Sequence, residues 1–138
     1  PDFAPISNWN GKVATIDWRI SVQQPELVLI AALDNNTSAI HVLHFDPARA
    51  SFNELASLPA NESDIEGLCL GNTSDGLSLF SIDTLGILQH HAIDIELIDN
   101  QFSASLQTIR SLNIGPNMSD CAVIDKTHQL LIAEEEIG

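Results

Sequence analysis

The chain has 138 residues, 44% of them hydrophobic, so it is long enough to bury a core and too apolar to stay disordered. Nineteen Asp and Glu against five Lys and Arg give a formal net charge of -14. Such a surface repels polyanions, which argues against nucleic acid and anionic membranes as partners and favours metal cations. This charge also suits a secreted or periplasmic bacterial protein.

Short apolar runs alternate with turn residues along the whole chain, which is typical of an all-β protein. No stretch keeps a helical apolar stripe for three turns. The longest apolar run, Leu27–Leu33, is much shorter than the roughly 20 residues of a membrane-spanning helix. In chain order, the predicted strands are Val13–Ile20, Leu27–Leu33, Ala39–Phe45, Phe52–Leu58, Ile65–Leu70, Leu77–Ile82, Ile87–Glu96, Ser103–Asn113, Cys121–Ile124 and Gln129–Glu134.

The acidic residues at the ends of strands and the two cysteines within strands each predict a local structural role. Asp34 and Asp83 close predicted strands and are expected to form turns. Cys69 and Cys121 lie within apolar strand-like runs, and we expect them to be buried thiols rather than a disulfide.

An acidic residue recurs in the first strand of each group of strands. Asp17, Glu66 and Asp120 occupy this position and are 49 and 54 residues apart. Many short strands fit a sandwich, a barrel or a propeller, but a repeat of about 50 residues with four strands has the size of one propeller blade. The repeat predicts a partial β-propeller over residues 1–138, with blades at 13–58 and 65–113 and a truncated blade at 120–138.

Three segments resemble the β-propeller phytases. Leu131-Ile-Ala-Glu-Glu135 is the most specific of them and is similar to that family's Leu-Tyr-Ile-Ala-Glu-Glu strand. Val13-Ala-Thr-Ile-Asp-Trp-Arg19, followed by Leu29-Ile-Ala-Ala-Leu-Asp-Asn-Asn36, resembles a blade of the same family, and so does Asp64-Ile-Glu-Gly-Leu-Cys69. The three matches follow the family's order and cover most of the chain.

The resemblance implies that this chain is part of a six-bladed propeller from a 3-phytase. About three of the blades, each of four antiparallel strands, would lie in this chain. Such an enzyme is a phosphomonoesterase that acts on phytate, with Ca²⁺ in a central acidic channel. Ca²⁺ takes 6–8 oxygen ligands, so carboxylates that converge from several inner strands suit it. The candidate calcium ligands are Asp17, Glu66, Asp120 and Glu135.

This chain departs from the family at the positions that hold phosphate. Glu66 replaces a tyrosine, Asn35 or Asn36 replaces an arginine, and Asp83 stands near an expected lysine. Phosphate recognition needs cationic donors, and carboxylates at the same positions repel it. We therefore assign no catalytic residue. We expect weak calcium binding and little hydrolysis by a segment that assists a complete phytase domain in a longer protein.

Two other functions remain open from the sequence alone. One is a non-catalytic assembly module, because a half-propeller leaves blade edges and faces unpaired. Two copies would then associate as a homodimer and close a ring of six blades. The other is a segment of a different calcium-dependent propeller hydrolase, such as a lactonase.

Overall fold

The computed structural model describes residues 11–60 and 63–135, which form β-strands and no helix. No described segment is therefore a helix long and apolar enough to cross a membrane. All ten predicted strands are present, each end within three residues of its predicted position. The strands are β1 (Val13–Ile20), β2 (Val28–Asp34), β3 (Ile40–Asp46), β4 (Ser51–Leu58), β5 (Ile65–Thr73), β6 (Gly76–Asp83), β7 (Ile87–Ile98), β8 (Gln101–Asn113), β9 (Met118–Ile124) and β10 (Gln129–Glu134).

The strands form three antiparallel sheets, each continuous in the chain. Sheet 1 has the order β1-β2-β3-β4 and sheet 2 the order β5-β6-β7-β8, while sheet 3 pairs β9 with β10. Among the described strands, the backbone ladders thus connect only strands that are neighbours in sequence. The all-β prediction is confirmed, and among the described residues the third unit has two strands where the first two have four.

Sheet 2 lies between the other two sheets, with its first strand β5 in contact with β1 and with β9. Side chains alternate between the two faces of a strand, so sheet 2 can bury apolar residues on both sides. The core between sheets 1 and 2 is the larger one, and it contains Leu29, Ala31, Ile40, Val42, Leu68, Leu70 and Leu79. The core between sheets 2 and 3 contains Cys69, Phe80, Ile82 and Leu88, packed against Cys121, Val123 and Leu130.

Two local features explain how the strands come so close together. The β7–β8 hairpin turns through Asp99 and Asn100, which both have positive φ, as the tight turn between twisted strands requires. Where β5 crosses β9, a Cβ atom at Gly71 would lie 2.6 Å from Cγ1 of Val123. Glycine therefore allows the first strands of sheets 2 and 3 to pack at close range.

Candidate functional site

Asp17 connects sheet 1 to sheet 2. Its Oδ2 accepts a hydrogen bond from the backbone N–H of Leu70 at 2.8 Å. Its Oδ1 accepts hydrogen bonds from the N–H of Trp18 at 2.8 Å and from Nη1 of Arg19 at 3.0 Å. Both carboxylate oxygens are thus occupied by protein donors, so this predicted calcium ligand serves to hold two sheets together.

Arg19 continues the same network to sheet 3. Its Nη2 donates to the carbonyl oxygen of Val123 at 3.1 Å, and its Nε lies 3.3 Å from Oδ2 of Asp125. Asp125 also accepts hydrogen bonds from the backbone N–H and the side-chain amide of Asn72, at 3.1 and 3.0 Å. A charged and hydrogen-bonded cluster therefore joins β1, β5 and the β9–β10 turn. The sequence analysis did not foresee it, because its members are about 50 residues apart.

Two of the other predicted ligands, Glu66 and Glu135, line one open groove of about 400 Å³. Asp64 contributes a third carboxylate to its wall. The remaining lining residues are Ala14, Leu33, Asn35, Ser38, Ile65, Thr84 and Ser119. All three sheets supply residues to this acidic groove, and none of the described residues that line it is Lys or Arg.

Hydrogen bonds fix the walls of the acidic groove. The hydroxyl of Ser38 donates to Oδ1 of Asp64 at 3.2 Å, and the N–H of Thr84 donates to the carbonyl oxygen of Asp64 at 2.9 Å. The N–H of Glu135 donates to the carbonyl oxygen of Asn117 at 2.7 Å. Backbone contacts thus hold the segments that carry the carboxylates, while Glu66 and Glu135 themselves are exposed.

Asp120, the fourth predicted ligand, is exposed and is not among the residues that line the groove. Its Oδ1 accepts a hydrogen bond from the N–H of Cys121 at 2.9 Å. Across residues 11–60 and 63–135, no three His, Cys, Asp or Glu side chains lie close enough together to hold a metal ion. The described residues therefore do not fit a complete calcium site, and calcium binding stays a prediction.

The structure also places the three residues that the resemblance to phytases compares with phosphate contacts, Asn35, Asn36 and Asp83. Asn35 lines the acidic groove, whereas Asn36 is not among its lining residues and uses its N–H to bond Oδ1 of Asp34. Asp83 accepts hydrogen bonds from Ser63, Leu85 and Ile87. Asp34 and Asp83 therefore organise turns as predicted, and of the two asparagines Asn35 is the one that lines the groove.

Cys69 and Cys121 form a disulfide, and the expectation of two thiols is wrong. The two strands that carry them, β5 and β9, belong to different sheets, and their Cα atoms are 5.7 Å apart. The strand pattern correctly predicted that Cys69 is buried, but it contained no information that β5 and β9 lie next to each other. The bond closes the core between sheets 2 and 3.

Three histidines have pKa values below the ordinary one. Burial lowers the pKa of His91, and neighbouring His90 lowers it further. The ring of His91 accepts or donates hydrogen bonds with Ser81 at 3.2 Å and Thr108 at 3.0 Å. Burial likewise lowers the pKa values of His44 and His90. These rings favour the neutral form and act as polar members of the packed sheets.

A second groove, of about 450 Å³, lies between the outer strands of sheets 1 and 2. His44 and Phe102 meet edge to face in its wall, with ring centroids 5.0 Å apart. Asp46 and Arg49 form a loose ion pair of 3.8 Å at the same place. No sequence motif pointed to this groove, since it depends on how two sheets pack.

The acidic groove is where the structure brings together two of the four predicted ligands, and the other two, Asp17 and Asp120, lie outside it. Searches with family models and among curated proteins found no match to this chain. The function is therefore inferred from the residues and the geometry described above.

Proposed function

We propose that this chain is a segment of a phytase-type β-propeller, from a calcium-dependent phosphomonoesterase that acts on phytate, and that the segment alone hydrolyses little. One observation carries this proposal. Two four-stranded meanders and a two-stranded unit follow one another, and the first strand of the second unit, β5, contacts the first strands of the other two, β1 and β9. Successive blades of a propeller share this arrangement, and it supports the interpretation of the residue repeat as propeller blades.

The acidic groove supports the second half of the proposal. In the described lining, three carboxylates from Asp64, Glu66 and Glu135 meet no Lys or Arg. A phosphate group that enters such a groove is repelled by the carboxylates, which carry the same charge. Water solvates the phosphate and the carboxylates better than they would interact with each other. Calcium would have to neutralise this charge, and it takes 6–8 oxygen ligands. We infer that further ligands come from parts of a longer protein, so that the segment assists a complete domain.

The disulfide between Cys69 and Cys121 supports a secreted or periplasmic location. Disulfides persist in oxidising compartments and are rare in the reducing cytosol.

The proposal is tested by phosphate release from phytate in the presence of Ca²⁺. The chain alone should release no phosphate above the blank, and added to a complete phytase domain it should raise that domain's rate. Turnover by the chain alone would contradict the inference that it has lost its own phosphate contacts. Absence of any effect on the complete domain would remove the assisting role.

A gain-of-binding variant tests the correspondence of individual residues. Asn35→Arg combined with Glu66→Tyr restores the family's pattern inside the groove, and it should increase affinity for phytate in isothermal titration calorimetry. One bidentate contact to phosphate is a charge-assisted pair and is worth roughly 2 kcal/mol, or about 30-fold in affinity. Asn36→Arg combined with Glu66→Tyr is the matched control, because Asn36 lies outside the groove lining. Equal affinity of the two double variants would show that the groove is not the phosphate site.

A further inference from the structure

The second groove lies at the opposite end of the sheets from the acidic groove. Asn35 and Ser38 of the β2–β3 turn line the acidic groove, whereas Pro47 and Arg49 of the β3–β4 turn line the second one. Successive turns of an antiparallel sheet lie at opposite ends of the strand between them. All residues that line the second groove fall between positions 26 and 102, so it is not created by the point at which the described part of the chain begins or ends. The proposed phytase function gives it no role.

The end of the β7–β8 hairpin forms one wall of the second groove. β6 pairs with β7 only as far as Ile93, whereas β7 and β8 stay paired up to Ile98 and Gln101, so the hairpin extends past the rest of sheet 2. A two-stranded hairpin is marginally stable by itself. This extension is supported by sheet 1, because Phe102 packs against the shared core and meets the ring of His44 edge to face. Tertiary packing therefore builds this wall.

The charges of the second groove exclude anionic ligands. The charged residues that line it are Glu26, Asp46, Glu54 and Arg49. The guanidinium of Arg49 is paired with Asp46, and Glu54 bonds the ring of His41. Burial lowers the pKa of His44, so this ring adds no positive charge at neutral pH. Among the described residues of the lining, three carboxylates stand against one guanidinium, so phosphates and acidic sugars are repelled.

The neutral side chains of the second groove offer hydrogen-bond donors as well as acceptors. Three of them are amides, from Asn53 on β4, Asn100 in the β7–β8 turn and Gln101 on β8. A side-chain amide has two N–H donors and one acceptor oxygen, and a hydroxyl group likewise donates and accepts. A purely cationic ligand would not use the amide oxygen and N–H groups together, and an apolar ligand would leave both unpaired. A ligand rich in hydroxyl groups can use both.

An aromatic ring completes the lining of the second groove. Phe102 is partly buried, and its ring is electron-rich on the face and suits weakly polarised C–H groups. A sugar ring has hydroxyl groups around its edge and C–H groups on its faces. The volume of about 450 Å³ is within the range of small-molecule sites, which is roughly 300–1,000 Å³.

We propose that the second groove binds a short neutral oligosaccharide. Asn53 and Gln101 bond its hydroxyl groups, and Phe102 contacts the C–H face of one sugar ring. The site is separate from the acidic groove, so it depends neither on calcium nor on phytate.

Tetrasaccharides of different charge test the chemistry of the ligand. In isothermal titration calorimetry with the whole chain, the neutral probes are the tetramers of glucose, in cellotetraose and maltotetraose, and of N-acetylglucosamine. At least one of them should bind, and salt raised from about 0.05 to about 0.5 M should change its affinity less than about twofold, because a neutral ligand is not screened. The galacturonic acid tetramer should not bind. Failure of every neutral probe at up to about 10 mM, whether or not the cationic glucosamine tetramer binds, or equal binding of the anionic probe, would overturn the proposal.

A pair of double variants tests the hydroxyl contacts. Asn53→Ala with Gln101→Ala removes two exposed amides from the groove and should weaken binding of the neutral probe about tenfold, since two hydrogen bonds are lost. The matched control is Ser57→Ala with Gln107→Ala, which changes exposed polar residues of the same two strands outside the groove lining. It should leave the affinity within about twofold of the wild type. Equal losses in the two double variants, or no loss in the first, would overturn the assignment.

Two single variants separate the ring contact from charge. Phe102→Leu keeps an apolar side chain on the core but removes the ring, and it should weaken binding about fivefold. Glu26→Gln removes a carboxylate but keeps its shape, and it should change the affinity for the neutral probe less than about twofold. Far-UV circular dichroism confirms that each variant is folded. Unchanged binding by Phe102→Leu, or a tenfold loss in Glu26→Gln, would show that the groove does not recognise a neutral sugar in this way.

Discussion

Removal of the Cys69–Cys121 bond should destabilise this protein more than any single surface change. The disulfide joins β5 of sheet 2 to β9 of sheet 3, and Cys69 is 1% exposed within the core that these sheets share. No backbone ladder connects the two sheets in the described part of the chain, so the bond is the covalent part of an interface otherwise held by packing and by the hydrogen bonds between Asn72 and Asp125.

The magnitude follows from the length of the loop that the bond closes. The cysteines are 52 residues apart, and for a loop of this length the entropy lost by the unfolded chain corresponds to about 4 kcal/mol. Single domains have free energies of unfolding of about 5–15 kcal/mol, so this is a large part of the total. The reduced protein should therefore unfold at a much lower urea concentration.

Urea unfolding followed by far-UV circular dichroism measures this loss, with and without reductant. The oxidised wild type should be more stable than the reduced wild type by about 4 kcal/mol, and both retain the sulfur atoms that fill the core. The unfolding midpoint of the double variant Cys69→Ala with Cys121→Ala should be the same with and without reductant. Equal unfolding midpoints for the oxidised and reduced wild type, or two titratable thiols in the unreduced, denatured chain, would refute the reasoning.

Three further perturbations test the sheet interfaces. Asp17→Ala leaves the part-buried N–H of Leu70 and guanidinium of Arg19 without this acceptor and should cost about 2 kcal/mol in urea unfolding, whereas exposed Asp75→Ala should change stability by less than about 0.5 kcal/mol. Burial lowers the pKa of His91 in the folded protein, so the unfolded chain takes up a proton at higher pH than the folded chain does. The free energy of unfolding should therefore fall as pH drops below about 6.5. A urea-unfolding midpoint that is the same at pH 8 and at pH 5 would contradict this. Gly71→Ala should cost about 1–3 kcal/mol through its contact with Val123, and adding Val123→Ala should give a total below the sum of the single effects, as a double-mutant cycle would show.

The strands could be predicted because their signals are local. Alternating apolar residues and turn residues located all ten, and β1 and β10 have the predicted bounds. The pairing of neighbours in sequence also follows from short turns, such as the one at Asp99 and Asn100. The acidic groove was predictable in part: Glu66 was selected by the recurrence of an acidic residue in each first strand and Glu135 by the resemblance of Leu131–Glu135 to a phytase strand, before the structure placed them together.

The sequence by itself determined an acidic all-β chain and the strand order within each sheet. It also determined that an acidic residue recurs in the first strand of each unit. Only the tertiary structure decided how those acids are used. Asp17 is drawn into a network with Arg19 and Leu70, and Cys69 is joined to Cys121, because β1, β5 and β9 approach across about 50 residues of chain. Such approaches depend on which faces of the sheets pack together, and a period of two residues along a strand says which side chains share a face but not what that face will meet.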